Sequence, residues 1–283
     1  MHKYAILSSN SNPTYSLFAP ITALLWKNYI GYEPVLIYCQ TADNQVSKLA
    51  YSAAKEVGCQ IIDLPMFKDP SIASAHLVQI ARVFISPFFN DDDYLLTGDI
   101  DMWPLSKEWF NKQDPTQAIH LFFSNAYNHE KYPICYIGTV AKIWQDIMQL
   151  DKSKTYTPVE LVDTIETLIK ACLGENPNGN DLWNFDEYIF GTRLKHYSGY
   201  PGVCQMFPRL GSRHGFVSGR VDRGRWIFSG PEEGLIDAHC LRPLWTDENW
   251  ARLRPLLEMV MTNEDLSYVD NYYSLIKKEI SNG

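Results

Sequence analysis

Three short apolar runs alternate with two amphipathic segments over the first 64 residues, and few folds accept that order. Tyr4-Ala5-Ile6-Leu7 leads into the small polar residues Ser8-Ser9-Asn10, and the runs at 33–39 and 60–64 read as the next two strands. Between them, residues 18–29 and 46–57 carry helical spacing and stop at Gly31 and Gly58, the residue type that tolerates the left-handed turn closing a helix. Links this short make each helix a crossover between parallel strands. The spacing therefore predicts an α/β fold with a mostly parallel central sheet and helices on both faces. Ligands of such sheets collect at the carboxyl ends of the strands. Ser8, Asn10 and Tyr15, in the first strand-to-helix loop, are thus candidate nucleotide contacts, although Ser and Asn serve equally well as turn formers.

A fourth apolar run, Tyr94-Leu95-Leu96, follows three acids and runs through Gly98 into Asp99-Ile100-Asp101 before Pro104 ends it. On an extended backbone alternate side chains share a face, so Asp99 and Asp101 are expected side by side, with Ile100 pointing into the fold. Two adjacent carboxylates need a cation. A hard divalent ion, Mn²⁺ or Mg²⁺, suits them and keeps coordination sites for substrate phosphate. An acidic turn that solvates itself is the plain alternative. The aspartate-nucleophile phosphatase pattern is excluded because it wants Thr or Val where this chain has Trp103. The preceding helix, from Asp69-Pro70-Ser71 to about Ile85, places His76, Gln79 and Arg82 on one polar flank. Arg82 there could meet a diphosphate, or lie on the surface of an amphipathic helix.

Strand-like runs at 118–123 and 134–138 come next, then helices at 140–150 and 157–172, the latter opened by Thr157-Pro158-Val159-Glu160. Asp186 and Glu187 fall in the first turn of a short helix. Carboxylates are favoured there by the helix dipole, and they are also placed to act as base, nucleophile or acceptor anchor beside a sugar. Residues 207–226 hold Arg209, Arg213, His214, Arg220, Arg223 and Arg225 among glycines. That patch is either a loop that closes over a diphosphate or a solvated hairpin. A strand-like segment at 235–245 carries His239 and Arg242, and two helices from 247 to 280 read as a packing brace.

With 33 acids against 25 Lys and Arg, the chain offers no basic field for nucleic acid. Its six cysteines are scattered without a C-x-x-C, which reads as free thiols in a reducing compartment. No apolar run reaches membrane-spanning length, so a cytoplasmic protein is expected.

In combination, the strand with its D-x-D, the late acid pair and the His-x-x-Arg-Pro-x-Trp segment resemble a metal-dependent glycosyltransferase of the GT-A fold. Tyr94 to Met102 is similar to the D-x-D strand of the ABO blood-group type transferases, and Trp183 to Gly191 is similar to their W-H-D-E segment. His239 to Trp245 resembles the H-x-x-G-x-x-K-P-W ending of the glycogenin and bacterial galactosyltransferase group, two residues shorter and with Arg242 for Lys. The resemblance implies one GT-A domain over 1–283. Residues 1–105 would form a Rossmann-like nucleotide-sugar half, 106–245 an acceptor half, and 246–283 C-terminal helices.

The same resemblance implies a UDP-sugar donor, a carbohydrate acceptor and Mn²⁺ or Mg²⁺. Asp99, Asp101 and His239 would hold the metal. Arg82, Arg242, Asp99, Ser8, Asn10 and Tyr15 would contact the donor, and Asp186 or Glu187 would act at the anomeric carbon, with retention of configuration favoured. A sugar-nucleotide nucleotidyltransferase should instead open on a basic Gly-rich loop, which Ser8-Ser9-Asn10-Ser11-Asn12 is not. A silent carbohydrate-binding protein would release no nucleoside diphosphate.

Overall fold

A computed structural model describes residues 1–41, 44–124, 131–174, 177–209, 218–228, 230 and 234–282. Its strands are β1 (Lys3–Asn10), β2 (Glu33–Cys39), β3 (Gln60–Asp63), β4 (Tyr94–Thr97), β5 (Met102–Pro104), β6 (Ile119–Leu121), β7 (Ile137–Val140), β8 (Cys204–Met206), β9 (Arg220–Asp222) and β10 (Asp237–His239). They form a seven-stranded sheet in the order β3-β2-β1-β4-β7-β6-β8 and a three-stranded sheet in the order β5-β10-β9. The β3-β2-β1-β4 half is parallel, whereas β7 runs antiparallel to both its neighbours.

Within the parallel half β2, β1 and β4 are largely buried on both sides, which is why they read as near-continuous apolar runs, while the edge strand β3 is exposed at Gln60 and Asp63. Successive residues face opposite cores: Ala5 and Leu7 pack into one cluster and Ile6 into the other, as do Leu36 against Val35 and Ile37. Each fully buried aliphatic side chain stabilises the fold by about 1.5–3 kcal/mol.

Helices cover these faces: α1 (Pro13–Ser16), α2 (Ala19–Leu24), α3 (Gln45–Glu56), α4 (Ser74–Phe84), α5 (Lys107–Phe110), α6 (Ala141–Ile147), α7 (Pro158–Leu173), α8 (Gly179–Trp183), α9 (Phe185–Lys195), α10 (Asp247–Glu258) and α11 (Asn263–Asn282). The last turn before Gly31 widens to a π-helix over Leu25–Ile30, and Gly31 closes it at φ 91°. The capping box at Thr157 is present, with Glu160 Oε2 accepting from Thr157 N at 2.9 Å. α11 braces the opening, where Tyr272 Oη donates to Leu17 O at 3.1 Å.

Several expected boundaries shift. α4 begins at Ser74 because Asp69 Oδ1 accepts from Ser71 N at 2.9 Å and closes a local turn first. The run at 134–138 is a 3₁₀ turn through Tyr136 before β7 starts; the Thr97 hydroxyl donates to Ile134 O in that turn and accepts from Ile137 N at 3.0 Å. The D-x-D is not extended. The ladder of β4 ends where Gly98 N donates to Ile6 O at 2.8 Å, and Met102 N donates back to Asp99 O at 3.2 Å. Met102–Pro104 then pairs with β10 in the second sheet. Asp99 and Asp101 thus occupy the turn joining the two sheets, and the period-2 argument does not apply to them.

Candidate active site

That turn floors a cavity of about 360 Å³, whose lining includes Ser8, Asn10, Tyr15, Arg82, Asp99, Asp101, Asp186, Glu187, His239 and Arg242. The structure thus brings these ten residues together, although they come from β1, α1, α4, α9 and β10, the turn between β4 and β5, and the segment after β10.

The charges divide into two groups. In the first, α4 carries Arg82 beneath the turn, 5% exposed. Its Nη1 donates to Asp99 Oδ1 and, at 3.1 Å, to Gly98 O. Its Nη2 meets Asp186 Oδ2 at 3.2 Å, and its Nε donates to Gln79 O at 3.2 Å. Arg82 is therefore a fully engaged, buried bridge rather than a surface cation. Gln79 shares the helix flank and donates to Trp183 O at 2.8 Å. Asp186 is completely buried at the start of α9 and accepts from Glu187 N at 2.9 Å. Burial raises its carboxyl to about 6, against the pull of Arg82. Glu187 is raised further, to about 8, by burial and by the negative charges of Asp186 and Asp99. Its Oε2 is buried and lacks a hydrogen-bond partner. Of the two acids, Asp186 is committed to Arg82, and Glu187 is the one with a free oxygen at the cavity.

The second group surrounds Asp101. Burial alone would raise this carboxyl; His239, Arg242 and Arg223 hold it down at about 2. Asp101 Oδ2 lies 2.6 Å from Arg223 Nη1, 3.6 Å from His239 Nε2 and 3.4 Å from Arg242 Nε. The other ring nitrogen of His239 lies 3.5 Å from Asp222 Oδ2. Burial would lower the His239 pKa, yet the two carboxylates raise it. Arg242 also lies over the Tyr15 ring, 4.6 Å from its centroid. Asn10 Nδ2 donates to Ser74 Oγ at 3.1 Å, which ties the first loop to α4.

The arginine-rich stretch divides. Arg213 and His214 lie outside the described residues. Arg209 and Arg220 both bond the fully buried Asp237, at 2.7 Å and 2.8 Å, and so anchor the stretch, with Arg220 also on the cavity wall. Sequence reasoning missed Asp237, Asp222 and the contact of Arg223 with Asp101. Only the density of arginine in an acidic chain hinted that buried acids wait nearby.

Asp101 and His239 could share a divalent ion. Metal bonds of about 2.0–2.2 Å separate neighbouring donors by roughly 3–3.6 Å, and the pair is 3.6 Å apart. Asp222 orients the imidazole from behind, as partners of metal-binding histidines do. Asp99 is turned to Arg82, so no cluster of three or more acid, His or Cys side chains fit to hold a metal is assembled among the described residues. Ions that take phosphate oxygens and water as their remaining ligands need only one or two protein donors.

The described cysteines are free, and no helix among the described residues is long and apolar enough to cross a membrane. No family sequence model matches the chain, and no curated protein sequence matches it. Solved structures do. An active-site mutant of LgtC is 11% identical with a TM-score of 0.50, covering 92% of this chain and 98% of that one. The galactosyltransferase LgtC in complex with donor and acceptor sugar analogues gives a TM-score of 0.49 at 11% identity, covering 94% and 99%. Mouse xyloside xylosyltransferase 1 gives 0.41 at 10% identity, covering 84% and 97%. The strand order and the overlap at 0.50 agree with the resemblance carried by the short motifs, and the chain has the GT-A glycosyltransferase fold.

Proposed function

We propose that the protein is a divalent-cation-dependent glycosyltransferase, moving a sugar from a UDP-sugar to a hydroxyl of a carbohydrate acceptor. One observation carries the reading: a single cavity at the carboxyl edge of the sheet unites the first strand-to-helix loop, the D-x-D turn, the Asp186-Glu187 pair and the His239–Arg242 segment. In this reading residues 1–105 supply most of the donor side and 106–245 the acceptor side.

Asp101 and His239 would hold Mn²⁺ or Mg²⁺, with Asp99 joining them or reaching the ribose. Such an ion neutralises charge on a departing diphosphate. Ser8, Asn10 and Tyr15 line the nucleoside end, and Tyr15 offers a flat face already shared with Arg242. Arg242 then meets the diphosphate. Arg82 fixes Asp99 and Asp186, so that the turn and the start of α9 keep a set distance.

In the reaction the bond from the anomeric carbon to the diphosphate oxygen breaks, and its electron pair leaves with the diphosphate. The acceptor oxygen bonds that carbon, and its proton passes to the diphosphate. Glu187, with an oxygen left unpartnered at the cavity, faces the positive charge that builds on the sugar. This arrangement favours retention of configuration.

The test is a thermal-shift panel of UDP-, GDP-, CMP- and dTDP-sugars with and without Mn²⁺, followed by detection of released nucleoside diphosphate. Stabilisation that needs both the cation and one nucleotide identifies the donor. If no donor raises the melting point with any cation, the transferase reading is abandoned. Binding without release of diphosphate would instead favour a carbohydrate-binding protein. Asp101→Asn should abolish cation-dependent turnover while leaving the melting curve cooperative.

A further inference from the structure

We infer that Arg223 occupies the cation's place on Asp101, so that a divalent ion and Arg223 exclude one another and the displaced guanidinium is released to the donor's diphosphate. The inference rests on the cation-dependent reading above and adds to it a residue that gates the ion.

The geometry is specific. Arg223 Nη1 meets Asp101 Oδ2 at 2.6 Å, closer than His239 or Arg242 approach the same oxygen. An ion bound between Asp101 Oδ2 and His239 would stand beside this guanidinium on the same oxygen, compete with it for that oxygen's lone pairs and be repelled by its positive charge. The backbone under Arg223 is held independently of its side chain. Arg223 N donates to His239 O at 3.0 Å, and Gly224 N donates to Asp222 Oδ1 at 2.8 Å in the tight turn after β9. The guanidinium can therefore leave Asp101 without unfolding the hairpin. Its side chain is 29% exposed, and it lines the same cavity as Arg242. Among the described residues, Asp101 is the one acid it contacts. Once displaced it needs a new anion, and a diphosphate in the cavity supplies one. Cation and donor then bind cooperatively, because the second compensates the arginine that the first evicted.

The experiment titrates MnCl₂ into wild type, Arg223→Gln and Arg225→Gln by calorimetry, alone and with saturating UDP. Arg225→Gln removes the same charge from the same hairpin and serves as the control. Arg223→Gln should bind Mn²⁺ roughly tenfold or more tightly in the absence of UDP. The factor by which UDP improves Mn²⁺ affinity should shrink by a similar amount, and Arg225→Gln should stay within about twofold of wild type on both measures. Equal or weaker Mn²⁺ binding by Arg223→Gln, or the same gain in both variants, overturns the inference while leaving a cation-dependent enzyme standing. If no form binds Mn²⁺ even with UDP, the cation-dependent reading falls, and this inference falls with it.

Discussion

Replacing Glu187 with glutamine should make the protein more stable at neutral pH while abolishing transfer. Burial beside Asp186 and Asp99 lifts this carboxyl from 4.5 to about 8, and its Oε2 has no hydrogen-bond partner. An acid kept protonated in the fold costs stability wherever the unfolded chain would ionise it. The cost is absent below 4.5, grows as pH rises, and levels off above about 8. At about 1.4 kcal/mol for each tenfold change in proton affinity, the whole span would be worth about 5 kcal/mol, and the part reached at neutral pH about 3 kcal/mol. Water reaches part of the side chain and screens much of this, which leaves about 1–2 kcal/mol. In a chain of this size that is about 2–6 °C in Tm. Melts of wild type and Glu187→Gln should therefore agree within about a degree near pH 5, where the cost is nearly absent, and separate by several degrees near pH 8, the variant higher. A difference that does not change with pH, or a variant that melts lower near pH 8, would refute the reasoning. Either result means that the carboxyl is hydrated or bonded in the folded protein.

Donor turnover should climb through neutral pH and level off above about 8, because in the proposed reaction the ionised form of Glu187 faces the positive charge on the sugar; a flat profile across that range contradicts that proposed role. Arg82→Met leaves Asp99 and the buried Asp186 without their shared cation, so chemical denaturation should show a loss of about 3–5 kcal/mol. Asp237→Asn strips the buried carboxylate from Arg209 and Arg220, and an equal loss should appear. Those arginines hold Asp237 far below the usual carboxylate range, so its contribution is present above its unfolded value of 3.8 and fades only in strong acid. Gly138→Ala would place a methyl 1.9 Å from Tyr94 Oη inside the sheet, and about 1–3 kcal/mol should be lost with little change in donor affinity.

The sheet and the cavity differ in how far local sequence reaches. Strands buried on both faces must be apolar at every position, and helices packed on one face must repeat every three to four residues. The β-α-β-α-β opening is therefore written in the order of residues 4 to 64. The flank shared by Gln79 and Arg82 is a local fact of the same kind, and in the structure Arg82 bonds the turn at Gly98 while Gln79 bonds Trp183 O. The D-x-D shows where this reasoning stops. Period 2 holds only while a ladder continues, and the chain changes sheets between Thr97 and Met102, so a turn, and not a pleat, directs the two carboxylates. What then decides their direction is the cation each one finds. Asp99 and Asp186 close on Arg82 from 17 and 104 residues away, and Asp101 closes on Arg223 from 122. Pairings over such separations leave no periodic trace. Arginines crowded into 207–226 of an acidic chain signal that charge is being matched, but which acid each one meets is settled only when the hairpin after β9 is laid against β10. The same crossing that hides the pairing sets Arg223 and His239 on one carboxylate oxygen. If a cation binds there as proposed, Arg223 has to leave that oxygen first.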